Sequence, residues 1–261
     1  MKKLSTLILV VLLIVTMAVC LVACDSSEIL TKDVEPTIAM EKYVARVNLE
    51  ERYEYLESKI SVVDSEGNNT LEIQYIFQEG AVYLKVDDLR TEGKDTEIWV
   101  KNENNKWMMY GRSINSDGIT SKELVIGDVP VWETEVDAET GETVYKLDAD
   151  GNKIPVMNEE TGVQKVEKVD EYTAFIDRCY GELFGNILPS NVGQIVSAKK
   201  GPAELIISFK NASEEQCLLT INHLTNKVHG FVIQSADGSI KTITYRYPIQ
   251  GFNKTDIPAI G

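Results

Sequence analysis

The densest set of oxygen ligands is Asp148-Ala149-Asp150-Gly151-Asn152, with Glu159 standing where the twelfth residue of a calcium loop would fall. Calcium takes six or more oxygens, and side chains at alternate positions suit it. Against that reading, the sixth position is Lys153 rather than the glycine that permits the sharp bend, Pro155 interrupts the run, and no predicted helices flank it. A hairpin turn is expected there, and no metal is assigned. Ser197-Ala198-Lys199-Lys200 has the S-x-x-K spacing in which a lysine can activate a serine, but no K-T-G follows. The S-x-N candidate, Ser113-Ile114-Asn115, precedes it instead. His223 and His229 flank a predicted turn without a third ligand at metal-binding spacing. Nothing has the form of a nucleophile elbow, a phosphate loop or a C-x-x-C pair, and among 41 acidic residues close carboxylates carry no information. No catalytic residue and no cofactor is expected, and the chain is read as a non-enzyme.

Cys24 carries a more definite chemistry. Lys2 and Lys3 precede a nearly unbroken apolar run from Leu4 to Val22, then Leu21-Val22-Ala23-Cys24, then polar Asp25-Ser26-Ser27. A charged start, an apolar stretch and a small residue at the cut make a secretory signal. The LVAC tetrad resembles the bacterial lipobox, in which the small residue admits a peptidase and the cysteine thiol carries a diacylglycerol. The other reading of the run is an uncleaved anchor, since about twenty apolar residues span a bilayer. Cys20 follows bulky Val19 and fits the lipobox poorly. Residues 1–23 are thus expected to leave, and Cys24 to hold the remaining 238 residues on the extracytoplasmic face of the cell membrane. Cys179 and Cys217 are then the remaining ordinary thiols; a bridge and a pair of buried free thiols both stand open.

The charge narrows the partners. There are 26 basic residues against 41 acidic ones, a net of −15, and losing Lys2 and Lys3 takes it to −17. Phosphates are repelled, which argues against nucleic acid. Anionic headgroups are repelled as well, so residence at the membrane rests on the acyl chains of Cys24. The N-x-Ser/Thr matches at Asn68, Asn211 and Asn253 read as chance in such a protein.

Behind Cys24, residues 24–34 read as a polar tether of about 30 Å at roughly 3.3 Å per residue, and 35–261 as a single domain. Ile38, Met40, Tyr43, Val44 and Val47 suit a helix, with Asp33 as its cap and Pro36 early in it. Leu71, Ile73, Tyr75 and Phe77 then alternate with Glu72, Gln74 and Gln78, the pattern of an antiparallel sheet with one buried face. Turn residues at 65–69, 79–80, 92–95 and 102–105 divide that region into five hairpin-linked strands ending at Trp107-Met108-Met109-Tyr110. Residues 128–171 hold thirteen acids against four lysines, a net of −9. Their turn-like segments recur about every ten residues and predict short exposed hairpins, with a mobile acidic loop as the alternative. Tyr172, Phe175, Ile176, Cys179, Leu183, Phe184 and Ile187 recur at helical steps, and four further strands follow between 204 and 247.

The order helix, strands Leu56 to Val63, Leu71 to Phe77 and Val82 to Val86, then a closing run of strands, resembles the LolA/LppX-like lipoprotein family. LTINHLTNKVHGFVIQ (218–233) and IKTITYRYPIQGFNKTDIP (240–258) carry most of the likeness; residues 113–167 are not covered by it. The resemblance implies an α+β fold, a curved antiparallel half-barrel covered by one or two helices, here with an acidic hairpin insert at about 128–168. It also implies a lipid or other apolar ligand between sheet and helices. The residues placed to line such a groove are Ile73, Tyr75, Phe77, Leu84, Trp107, Met109, Phe175 and Phe184. The same residues would equally fill a closed core. The alternative function is therefore a structural lipoprotein that meets an envelope protein partner through its acidic insert.

Overall fold

The period-two alternation of the sequence governs most of the structure. In a computed structural model, residues 32–42, 54–90, 95–113, 118–138, 140–188, 190–248 and 257–260 are described. The expected signal peptide, Cys24 and the lipobox lie outside these residues, as do 43–47 of the first expected helix and Asn253.

Among the described residues, twelve strands form one antiparallel sheet that does not close on itself. Its N-terminal half is β2 (Leu56–Val63), β3 (Asn69–Gln78), β4 (Ala81–Asp88), β5 (Thr96–Glu103), β6 (Lys106–Ser113) and β7 (Thr120–Glu123). Its C-terminal half is β12 (Val192–Lys200), β13 (Glu204–Asn211), β14 (Gln216–Asn222), β15 (Lys227–Gln234) and β16 (Ile240–Arg246). The halves join where β16 pairs with β2, from Ile240 opposite Val63 to Arg246 opposite Glu57. Local turns fix each hairpin. The Asp64 carboxylate accepts the N–H groups of Glu66 and Asn68, both at 2.9 Å. Asn104 and Asn105 both take positive φ (52° and 64°), the pair of left-handed residues that a tight two-residue hairpin requires.

The outer edge departs from expectation. Lys32–Val34, placed in the tether by the sequence reading, forms β1 and pairs with Lys200 to Ala198 of β12. Asp33 is therefore a strand residue; the following helix α1 (Pro36–Lys42) starts instead at Glu35, whose carboxylate accepts from Thr37 and Ile38. The strand β12 itself went unforeseen. Ser197 and Lys200 fall three apart on it and so project to opposite faces, which removes any S-x-x-K pairing.

Between the halves runs α2 (Glu171–Phe184), followed by a single 3-10 turn at Gly185–Ile187. Asp170 caps it, accepting from the Thr173 N–H and hydroxyl at 2.8 Å each. Glu171 ties its start to the sheet edge, accepting from Lys122 Nζ at 2.6 Å and from the Val125 N–H at 2.7 Å. Phe175, Ile176, Cys179, Tyr180, Leu183 and Phe184 bury against one face of the sheet, which includes Leu56, Ile60, Tyr75, Phe77, Phe231, Ile243 and Tyr245. Full burial of one such side chain contributes about 1.5–3 kcal/mol.

The insert is built differently. β8 (Ile126–Pro130) pairs with β11 (Val166–Asp170) as a stalk, and β9 (Thr134–Val136) with β10 (Thr143–Tyr145) beyond it. Two closed triangles of backbone hydrogen bonds join three short hairpins. One runs from Val131 to Lys165, Lys165 to Val156 and Val156 to Val131; the other from Glu133 to Ile154, Ile154 to Lys146 and Lys146 to Glu133. At the three tips, the side-chain oxygens of Asp137, Asp148 and Asn158 accept backbone N–H groups two to four residues on. The Asp148 carboxylate is thus the organiser of a hairpin turn. Among the described residues no helix is long and apolar enough to cross a membrane.

Candidate functional site

Strand register puts the sheet residues of the expected groove on one face. Tyr75 stands opposite Leu84, Phe77 opposite Val82, and Ile73 opposite Val86. Leu84 in turn faces Ile98, and Val100 faces Met109. Trp107 shares the side of Met109, two residues away. The other two groove residues, Phe175 and Phe184, come down on this face from α2.

The helix then divides the set. Tyr172 stacks on Trp107 with ring centroids 3.7 Å apart, Tyr180 meets Phe77 edge-on at 5.0 Å, and Phe184 stacks on Tyr245 at 5.0 Å. The Tyr245 hydroxyl donates to the Leu183 carbonyl, which fixes the far end of the helix; burial holds that phenol well above its ordinary pKa. Tyr75, Phe77, Phe175 and Phe184 are all at or below 4 % exposed, so they are core. Ile73, Leu84, Trp107 and Met109 are only partly buried, and Ile98, which the sequence reading did not name, joins them. Ile73, Leu84, Ile98 and Met109 lie on the successive strands β3 to β6 and share one face of the sheet.

At the hairpin end of β3 and β4 there is a separate cavity of about 290 Å³. Phe77, Val82, Tyr172, Ile176 and Tyr180 give it apolar and aromatic walls, and Glu54, Gln78 and Glu79 add polar groups. Gln78 Oε1 is buried and accepts no hydrogen bond. Glu54 and Glu79 both line the cavity, and the Tyr55 hydroxyl is held above its ordinary pKa first by burial and then by their two charges. The sequence marked Glu79-Gly80 only as a turn, and no residue pattern signalled the cavity.

The opposite face of the sheet carries a small second cluster, Ile76, Tyr83 and Trp99. Ile257 and Ile260 pack on it, and Trp99 Nε1 donates to the Pro258 carbonyl at 3.0 Å. Beneath them Glu97 accepts from the Tyr83 hydroxyl at 2.6 Å and from Arg112 Nε at 3.0 Å. Burial pushes the Glu97 carboxyl up, but these two donors and the Arg112 charge outweigh it and leave it below the ordinary range.

Other sequence candidates are dispersed. His223 Nε2 lies 3.1 Å from the Gly201 carbonyl and His229 Nδ1 3.3 Å from Glu204 Oε1, so each has its own partner. Cys179 and Cys217 are both free and buried rather than bridged. Burial pushes their thiols up to about 12 and about 11, which keeps them protonated and poor nucleophiles. Among the described residues no group of three or more His, Cys, Asp or Glu side chains is placed to hold a metal ion. No known protein-family model matches the chain, and no curated protein proved similar to it.

Proposed function

We propose that this chain is a lipid-anchored extracytoplasmic binding module that holds a neutral lipid or other neutral apolar molecule on the strip Ile73, Leu84, Ile98 and Met109. The observation that carries the reading is that the apolar inner face of the sheet is not fully buried along its whole extent. Four adjacent apolar side chains on strands β3 to β6 remain partly exposed there. Anionic ligands are disfavoured by the net charge of −15. The lipobox-like LVAC ending at Cys24 supports attachment to the cell membrane, and an open antiparallel sheet crossed by a helix supports the LolA/LppX-like half-barrel likeness. The reading assigns no catalysis. Its test is uptake of a fluorescent monoacylglycerol by residues 25–261. Leu84→Glu or Ile98→Glu is expected to abolish uptake while leaving a cooperative thermal transition; uptake equal to the parent in either folded variant would refute the assignment.

A second reading is favoured by one observation on the insert. Val136, Tyr145, Leu147, Met157, Val163 and Val166 are between 48 % and 68 % exposed, and none of the described residues from 126 to 170 is fully buried. An ordered acidic projection bearing apolar side chains suits contact with a basic envelope protein. Replacing residues 131–165 by Asn-Gly across the β8–β11 stalk should remove such a partner from crosslinked membranes and leave monoacylglycerol uptake intact. Loss of uptake in that variant would tie the insert to the ligand site instead.

A further inference from the structure

We propose that the 290 Å³ cavity between the β3–β4 hairpin and α2 is a binding site for a small primary ammonium compound with an apolar body. This site is separate from the strip assigned above and does not depend on it. Its size lies at the small end for ligand pockets, which run from about 300 to 1,000 Å³, and so suits a compact molecule better than an acyl chain. Its walls, Phe77, Tyr172, Tyr180, Val82 and Ile176, match an aryl or alkyl body, and aromatic faces attract cations.

The polar groups select the charge. Glu54 and Glu79 both line the cavity, and among the described residues neither carboxylate has a lysine or arginine ion-pair partner. Two carboxylates that no described cation pairs with, beside an apolar wall, favour a cation and repel an anion. Gln78 Oε1, buried without a donor, adds a hydrogen-bond acceptor that a primary ammonium can satisfy and a quaternary one cannot. The two ionised carboxylates and the Gln78 amide oxygen are all acceptors, and the complementary ligand is a donor.

The test is isothermal titration of the full-length chain in phosphatidylcholine nanodiscs, with heats from empty nanodiscs subtracted. The probes are 2-phenylethylamine, its neutral counterpart 2-phenylethanol and the anion 3-phenylpropionate. The amine should bind saturably, the alcohol roughly tenfold more weakly, and the carboxylate without measurable heat. The double variant Glu54→Gln/Glu79→Gln should bring the amine to the level of the alcohol, and Gln78→Leu, which keeps the charge, should weaken it severalfold. Equal binding of amine and alcohol by the parent chain, or no saturable amine binding, would overturn the proposal without recourse to any variant. Repeating the titration in phosphatidylethanolamine nanodiscs separates two sources of the same group. Competition assigns the site to a lipid headgroup, and unchanged binding assigns it to a soluble amine.

Discussion

The two stretches of one sheet face differ in what lies over them. Around Phe77, Phe231, Ile243 and Tyr245 the face is sealed by α2, and the aromatic side chains of sheet and helix interlock. Around Ile73, Leu84, Ile98 and Met109 the same alternation continues with the same kind of residues, yet they stay partly exposed. Sequence chemistry is alike in the two stretches; the one packed under the fourteen-residue α2 is core, and the other is only partly buried. Burial against a packed partner is a source of stability, whereas apolar surface left half-open is available for a ligand.

That contrast is broken or sharpened most strongly by paired truncations. Phe184→Ala should cost about 3–5 kcal/mol, as the loss of a large buried side chain does, whereas Leu84→Ala should cost no more than about 1 kcal/mol. Urea unfolding midpoints at constant slope measure both; equal losses would mean that the strip is as much core as the region under the helix. A smaller effect is expected from Asp170→Ala, which removes the cap of α2 and should cost about 1 kcal/mol, with Asp170→Asn retaining most of it. Since the helix seals only one stretch, this loss should leave monoacylglycerol uptake by the strip nearly unchanged.

The smallest effect concerns the outer face. Glu97 is more acidic in the folded chain than unfolded, so the unfolded chain binds more protons in the interval between the two values. Its contribution is complete above the ordinary carboxylate range and is lost as pH falls through the lower, folded value. Comparing thermal unfolding of the parent with Glu97→Gln at neutral pH and in acid should therefore show a difference that narrows in acid. A difference constant with pH would mean that Glu97 acts by packing alone.

Much of the frame was legible because the physics is local. Alternation in 71–77 put Ile73, Tyr75 and Phe77 on one face, and helical spacing from Tyr172 to Ile187 named the buried side of α2. The acidic insert was legible as hairpins through its Asx-type tips. What was not legible depends on distant parts of the chain. β12 breaks its alternation at two register shifts, between Val192 and Ile195 and again before Ser197. β7, Thr-Ser-Lys-Glu, is wholly exposed and carries no apolar signal. The division of the eight groove residues into four core and four partly open ones follows from where the helix docks, which no spacing encodes. The same holds for Gln78 and Glu79, whose turn position says nothing of the helix that walls the cavity behind them.

The central claim is that the partly exposed strip holds a neutral apolar molecule. Native mass spectrometry of residues 25–261, produced in a bacterial host without detergent, tests it most directly. The account predicts a reproducible mass excess that disappears on organic extraction, returns on adding a monoacylglycerol and is absent from Leu84→Glu. A clean apo mass with no uptake of added lipid would contradict it and leave the acidic insert as the functional surface.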